Sequence, residues 1–193
     1  IGDLAHENPE FLEQKLGKMG LSLWRYANGM DDSPVEVIPA ENKGYGHSTT
    51  LPFDVEDEEM ARRILLELTE KVCMRLRGDR ARADSVTVQI CFADLSRCSH
   101  QCTVKTATNI TSEVYDYVCR LFTEKWNGSP IRLLGVSVTR ASHAEGGRQL
   151  SLFDHTDYEK LEKLDQAMDR IRGRFGNSAV CRASSLQEME EKS

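Results

Sequence analysis

Hydrophobic positions change their period several times along this chain, and the changes mark its elements. Ser85 to Phe92 alternates strictly, as a strand with one buried face does. Met60, Ile64, Leu65, Leu68, Val72 and Leu76 recur at three-to-four spacing, which predicts an amphipathic helix. Asp54 and Glu56 to Glu59 place acidic groups at its start, where they complement the helix dipole, and Gly78 follows its end. Val114, Val118, Leu121 and Phe122 predict a second helix, opening at Thr111-Ser112 and stopping before Asn127-Gly128. Further strands are expected at 44–51, 99–106 and 131–138, with 99–106 pairing back onto Ser85 to Phe92 as a hairpin. The order is β-α-β-β-α-β. It predicts an α+β fold: a split βαβ antiparallel sheet with both helices on one face and the other face free.

Helical segments flank this unit. Residues 1–33 carry Phe11-Leu12 and Leu16 on one face, Gly17 and Gly20 as punctuation, and a restart at Leu21, Leu23-Trp24 and Tyr26. Asn28-Gly29 and Asp31-Asp32-Ser33-Pro34 end the piece. Residues 34–42, with two prolines, read as a linker to the domain at 43–142. A loop at 143–155 follows, then a C-terminal helix and tail at 156–193. Thr156-Asp-Tyr-Glu159 reads as a capping box, and Tyr158, Leu161, Leu164, Met168, Ile171 and Phe175 form one stripe ahead of Gly176.

Composition narrows the class. The 193 residues are 39% hydrophobic and 29% charged, enough for one packed domain and inconsistent with a collagen or a mucin-like stalk. No apolar run approaches the roughly 20 residues of a membrane span. Ile1-Gly2-Asp3-Leu4 lacks a signal-peptide pattern, so a soluble, cytoplasmic protein without a membrane partner is expected. Beginning on Ile1, the chain reads as a fragment of something longer. The six cysteines are expected to be reduced and structural. Cys98-Ser-His100-Gln-Cys102 is the sharpest metal candidate, but it lacks zinc-finger spacing and a strand would put all three on one face, so no metal site is expected.

The net charge of −6 argues at first against nucleic acid. By region the picture differs: residues 1–33 sum to −3 and 54–70 to −5, whereas 71–105 hold seven basic and three acidic groups, +4. The basic stretch leads into the predicted hairpin.

Three separated segments carry a family resemblance. Ile1 to Ala5, Leu16-Gly17-Lys18, and Leu23-Trp24 through Ala27-Asn28-Gly29, Asp31 and Pro34-Val35 resemble the end of the thumb of Y-family DNA polymerases, in their bacterial translesion group. Residues 43–140, with Gly46, Thr50-Leu51-Pro52 and Pro130-Ile131-Arg132-Leu133-Leu134-Gly135-Val136, resemble that family's little-finger domain. Gln149-Leu150-Ser151-Leu152-Phe153 is similar to the peptide by which bacterial polymerases bind the sliding clamp.

The resemblance implies a fragment that grips primer-template DNA through its backbone, binds the sliding clamp (the beta subunit of DNA polymerase III) and serves DNA repair, damage tolerance and the SOS response. It implies DNA contacts from Gly44, Gly46, His47, Ser48 and Thr50 on the first strand, and from Arg97, Ser99, His100, Gln101, Thr103 and Lys105 on the hairpin. Clamp contacts would come from Gln149, Leu150, Ser151, Leu152 and Phe153. Relatives often carry Arg or Lys at the positions of His47, His100 and Cys102, which implies weaker or more pH-sensitive DNA binding. The nucleotidyltransferase active site and its magnesium would lie in a palm upstream of Ile1. No catalytic residue and no cofactor are therefore expected in this fragment. A free-standing RNA-binding domain shares the element order, but the central strands lack paired exposed aromatics for base stacking. A small-molecule enzyme is disfavoured because no nucleophile-base pair or phosphate loop is present.

Overall fold

The computed structural model describes residues 1–35, 41–141 and 156–183. The chain divides into two compact units, Ile1–Glu41 and Asn42–Ser193.

The first unit holds three short helices: α1 (Gly2–His6), α2 (Pro9–Leu16) and α3 (Lys18–Ala27). Asn8 caps α2 by accepting from Glu10 N at 2.8 Å, with Pro9 pre-set at the first helical position. Gly17 breaks the chain between α2 and α3 at φ 64°, the left-handed region that glycine tolerates. Gly20 is not the second stop that the sequence pattern predicts. It lies inside α3, buried, where an added Cβ would stand 2.1 Å from the Leu12 carbonyl oxygen, so its missing side chain lets α2 and α3 approach closely.

The second unit is built on four strands, β1 (Gly44–Val55), β2 (Ala83–Phe92), β3 (Arg97–Thr108) and β4 (Ile131–Arg140), with α4 (Glu58–Gly78), α5 (Thr111–Lys125) and α6 (Tyr158–Phe175). The sheet order is β1-β4-β2-β3 with every neighbour antiparallel. Strand β4 therefore sits between β1 and β2, and β2 sits between β3 and β4. Both crossovers, through α4 and through α5, are split in this way, and the α+β fold expected from the sequence is the fold observed.

The core lies between the sheet and the layer of α4 and α5. Leu65, Leu68, Val72 and Leu76 of α4 and Val114, Val118, Leu121 and Phe122 of α5 meet Val86, Val88 and Ile90 of β2 and Leu134, Val136 and Val138 of β4, all buried. At roughly 1.5–3 kcal/mol for each fully buried large side chain, this layer dominates the stability of the unit. Cys73 is fully buried in it, and burial pushes its thiol up to about 12. The acidic run after β1 splits between two roles. Strand β1 extends to Val55 through a register shift, and Asp57 then caps α4 by accepting from Met60 N at 2.7 Å.

Helix α6 packs on α4, outside the core. Its cap is Asp157, which accepts from Lys160 N at 3.0 Å, rather than the expected Thr156. A network of ion pairs joins it to α4. Arg77 of α4, almost fully enclosed, makes a two-bond pair with Asp169 at 2.6 and 3.0 Å and also reaches Asp165 at 3.2 Å. Glu70 accepts from Arg172 at 2.7 Å and from Arg182 at 2.8 Å. Buried charges that are multiply paired in this way are costly to break on one side.

Candidate nucleic-acid interface

Antiparallel register fixes which side chains share the free face of the sheet, because residues directly opposite one another project to the same side. Four cross-strand rows follow from the pairing. They are Gly44-Thr139-Ser85-Thr103, Gly46-Ser137-Thr87-Gln101, Ser48-Gly135-Gln89-Ser99 and Thr50-Leu133-Cys91-Arg97. The rows hold hydroxyls, amides, glycines and one guanidinium, with the apolar Leu133 and the buried Cys91 in the last row and no carboxylate. No aromatic ring lies in these rows. A depression of about 370 Å³ opens at the Arg97 end, lined by Ser48, Gln89, Cys91, Arg97, Ser99 and Leu133 among others.

Gly135 stands at the centre because nothing larger fits without movement: an added Cβ would lie 3.1 Å from the Ser48 Cβ and 3.4 Å from the Gln89 Cβ. Gly44 is held by the same constraint against the Val138 carbonyl oxygen, 2.8 Å from an added Cβ.

The structure brings Gly44, Gly46, Ser48, Thr50, Arg97, Ser99, Gln101 and Thr103 onto this face, with Lys105 following by alternation. It does not bring the two histidines there. His47 opposes Val136 and faces the helix layer, where burial first and then the charges of Lys71 and Arg75 hold its imidazole below the ordinary value. His100 opposes Val88 on the same side, with its Nε2 3.0 Å from Glu124 Oε2 of α5. Strand parity is the reason: both histidines occupy the alternate positions to the open-face residues. Cys98 and Cys102 share that helix-facing side, and Arg120 lies 3.4 Å from the Cys102 sulfur.

Sequence reasoning missed the central strands. Thr87, Gln89, Ser137 and Thr139 belong to the open face. The polar half of the alternation in Ser85 to Phe92 was the signal that could have found them. The motif Gln149 to Phe153 lies outside the described residues.

Several carboxylates elsewhere have structural partners. Asp31 accepts from Ser33 N at 2.9 Å, Asp32 pairs with Arg25, and Glu58 and Glu59 each pair four residues on with Arg62 and Arg63 at 2.7 Å. Among the described residues no three His, Cys, Asp or Glu side chains group closely enough to hold a metal ion. No helix there is long and apolar enough to cross a membrane.

The second unit is thus a split-βαβ domain whose sheet carries helices on one face and a largely polar, carboxylate-free surface on the other. Residues 42–152 match the family described as the impB/mucB/samB family C-terminal domain, and the chain belongs to that family. Among curated relatives, DNA polymerase IV of Acetivibrio thermocellus is 39% identical over 97% of this chain and 48% of its own length. DNA polymerase IV 2 of Bacillus subtilis is 40% identical over 96% of this chain and 46% of its own. The chain thus spans about half the length of these relatives. A solved complex of the beta-clamp processivity factor and the little finger domain of PolIV aligns at 18% identity and TM-score 0.45, covering 57% of this chain and 99% of that one. That similarity is too low to add to the sequence match.

Proposed function

We propose that this chain is the DNA-gripping C-terminal region of a translesion DNA polymerase, with its second unit acting as the little finger. The observation that supports this best is the open sheet face: three rows of hydroxyl, amide and glycine positions and a fourth, Thr50-Leu133-Cys91-Arg97, that ends at a guanidinium, without a carboxylate, in a chain whose family relatives are named DNA polymerase IV. Hydroxyls, amides and guanidinium are the groups that contact phosphate and sugar without reading sequence. The DNA contacts on this reading are Gly44, Gly46, Ser48, Thr50, Arg97, Ser99, Gln101, Thr103 and Lys105, joined by Thr87, Gln89, Ser137 and Thr139. His47 and His100 are not part of that face.

Phosphoryl transfer needs metal ions held by grouped carboxylates. The donor groups described here do not fit that requirement, so this chain positions DNA while the parent polymerase, using magnesium, does the chemistry. The RNA-binding reading is weakened by the absence of any aromatic ring from the four rows.

Gln149 to Phe153 supplies the tether to the sliding clamp, with Leu152 and Phe153 each worth roughly 1.5–3 kcal/mol if fully buried in a partner groove. A linked second contact of this kind raises the effective concentration of a modest DNA grip. The parent acts in the cytoplasm, in damage tolerance. Clamp capture is tested by titrating the chain onto the cognate sliding clamp. Binding that Leu152→Ala with Phe153→Ala abolishes supports it, and absence of binding by the unaltered chain removes it.

A further inference from the structure

Helix α6 turns its carboxylates inward and its large apolar side chains outward, the reverse of the usual order. Asp165 is buried, and Glu162 and Asp169 are half-buried. Their partners lie in the sheet domain: Arg77 for Asp165 and Asp169, and Arg82 with the Asn109 amide for Glu162. Of the apolar stripe read from the sequence only Met168 is buried, while Leu164, Ile171 and Phe175 are 47%, 40% and 66% exposed.

Those three residues, spaced by seven and four, form one line along the helix. Cations border the line. Lys160, Lys163, Arg170 and Arg174 are all exposed, and the Arg174 guanidinium lies over the Phe175 ring, 5.2 Å from its centre. Glu159, paired with Lys163, is the single exposed carboxylate of the helix. Rolling α6 to bury the apolar line would pull Asp165 away from Arg77 and from the Thr111 N–H. The ion pairs thus fix a rotation that leaves the line uncovered, and its complement is an apolar groove with an acidic rim.

Position in the chain selects the partner. The clamp tether proposed above ends at Phe153, five residues before α6 begins at Tyr158. A chain advances at most about 3.6 Å per residue, so a clamp holding Phe153 lies within about 18 Å of the start of α6. The helix itself then runs for about 27 Å.

We propose that the outer line of α6, Leu164, Ile171 and Phe175 bordered by Lys160 and Arg174, is a second contact for the sliding clamp, seated on an acidic-rimmed apolar surface of that partner. This rests on the clamp reading above and adds to it a contact outside the matched family domain, which ends at residue 152. A second contact joined to the first by a few residues works at high effective concentration.

The experiment titrates the full chain onto the cognate sliding clamp across a salt series. Ile171→Ala with Phe175→Ala is expected to weaken clamp binding about tenfold while leaving the urea midpoint and the affinity for primer-template duplex unchanged. Lys160→Gln with Arg174→Gln is expected to reduce the salt dependence of clamp binding. An apolar double variant that binds the clamp like the unaltered chain overturns the proposal, and a lowered urea midpoint in that variant would mean that the chain covers the line itself. A variant that loses duplex affinity in step with clamp affinity also overturns it, by assigning the line to nucleic acid. An unaltered chain that binds no clamp overturns the clamp reading itself, an outcome distinct from clamp binding that needs Leu152 and Phe153 but ignores α6.

Discussion

Asp165 of α6 accepts a hydrogen bond from the backbone N–H of Thr111, 2.7 Å away, at the first turn of α5. Helix α5 has no side-chain cap of its own at Ile110, so a carboxylate from an element more than fifty residues later occupies that place. The same carboxylate lies 3.2 Å from Arg77, and its other oxygen takes Arg182. Asp165 is 2% exposed. Helix α6 is therefore joined to the sheet domain by groups that the domain needs satisfied, although the family match ends at residue 152.

Asp165→Ala should destabilise the second unit by about 3–5 kcal/mol, because it leaves the Arg77 charge short of a partner and the Thr111 N–H without one. Asp165→Asn keeps an acceptor oxygen and should cost clearly less. Urea unfolding followed by circular dichroism measures both. Equal and negligible losses would mean that α6 is a passenger.

Gly20→Ala should destabilise the first unit. The added methyl would meet the Leu12 carbonyl carbon at 2.5 Å and its oxygen at 2.1 Å, backbone atoms that can yield only if α2 and α3 separate. Overpacking of this kind costs about 1–3 kcal/mol, and Trp24 fluorescence during thermal unfolding reads it. Gly29→Ala, at a turn with open space around it, meets a different difficulty, a φ of 73°.

Tyr45→Phe should raise the proton affinity of Asp79. Hydrogen bonds from the Tyr45 hydroxyl, and then from Asn42, hold the Asp79 carboxyl below the usual carboxylate range. A depressed carboxyl stabilises the fold above its ordinary value of 3.8 and loses that contribution as pH falls through the folded-state value. Carboxyl carbon NMR titration should show Asp79 moving up toward the ordinary value in the variant. An unmoved titration would mean that the hydroxyl contact does not form in solution.

Much of this fold was legible because its elements keep one period each. Strict alternation in Ser85 to Phe92 and three-to-four spacing from Met60 to Leu76 leave little choice of element type. Element ends were less legible, since the acidic run from Asp54 to Glu59 does not by itself single out Asp57 as the cap of α4, and Asp157 rather than Thr156 caps α6. Several adjacent residues could each cap, and tertiary geometry chooses among them. The open face was readable by parity alone. The family resemblance grouped His47 and His100 with residues of the opposite parity, and the register separates them. Asp165 was not legible at all: in sequence it is one more charge on a polar helix, and its backbone partner is fixed only by long-range packing.

The most direct test of the account places a carboxylate on the open face without changing its shape. Gln89→Glu is isosteric at an exposed site in the middle of the sheet, flanked by Gly135 and Ser99. A unit charge about 4 Å from a phosphate in water is worth about 1 kcal/mol, roughly a fivefold loss of affinity. The measurement is primer-template duplex affinity of the full chain against salt concentration. The account predicts linear weakening with log salt for the unaltered chain, little sequence preference, and a roughly fivefold further loss in Gln89→Glu at low salt that shrinks as salt rises. Equal affinities for the two proteins, or tight binding that ignores salt, would contradict it.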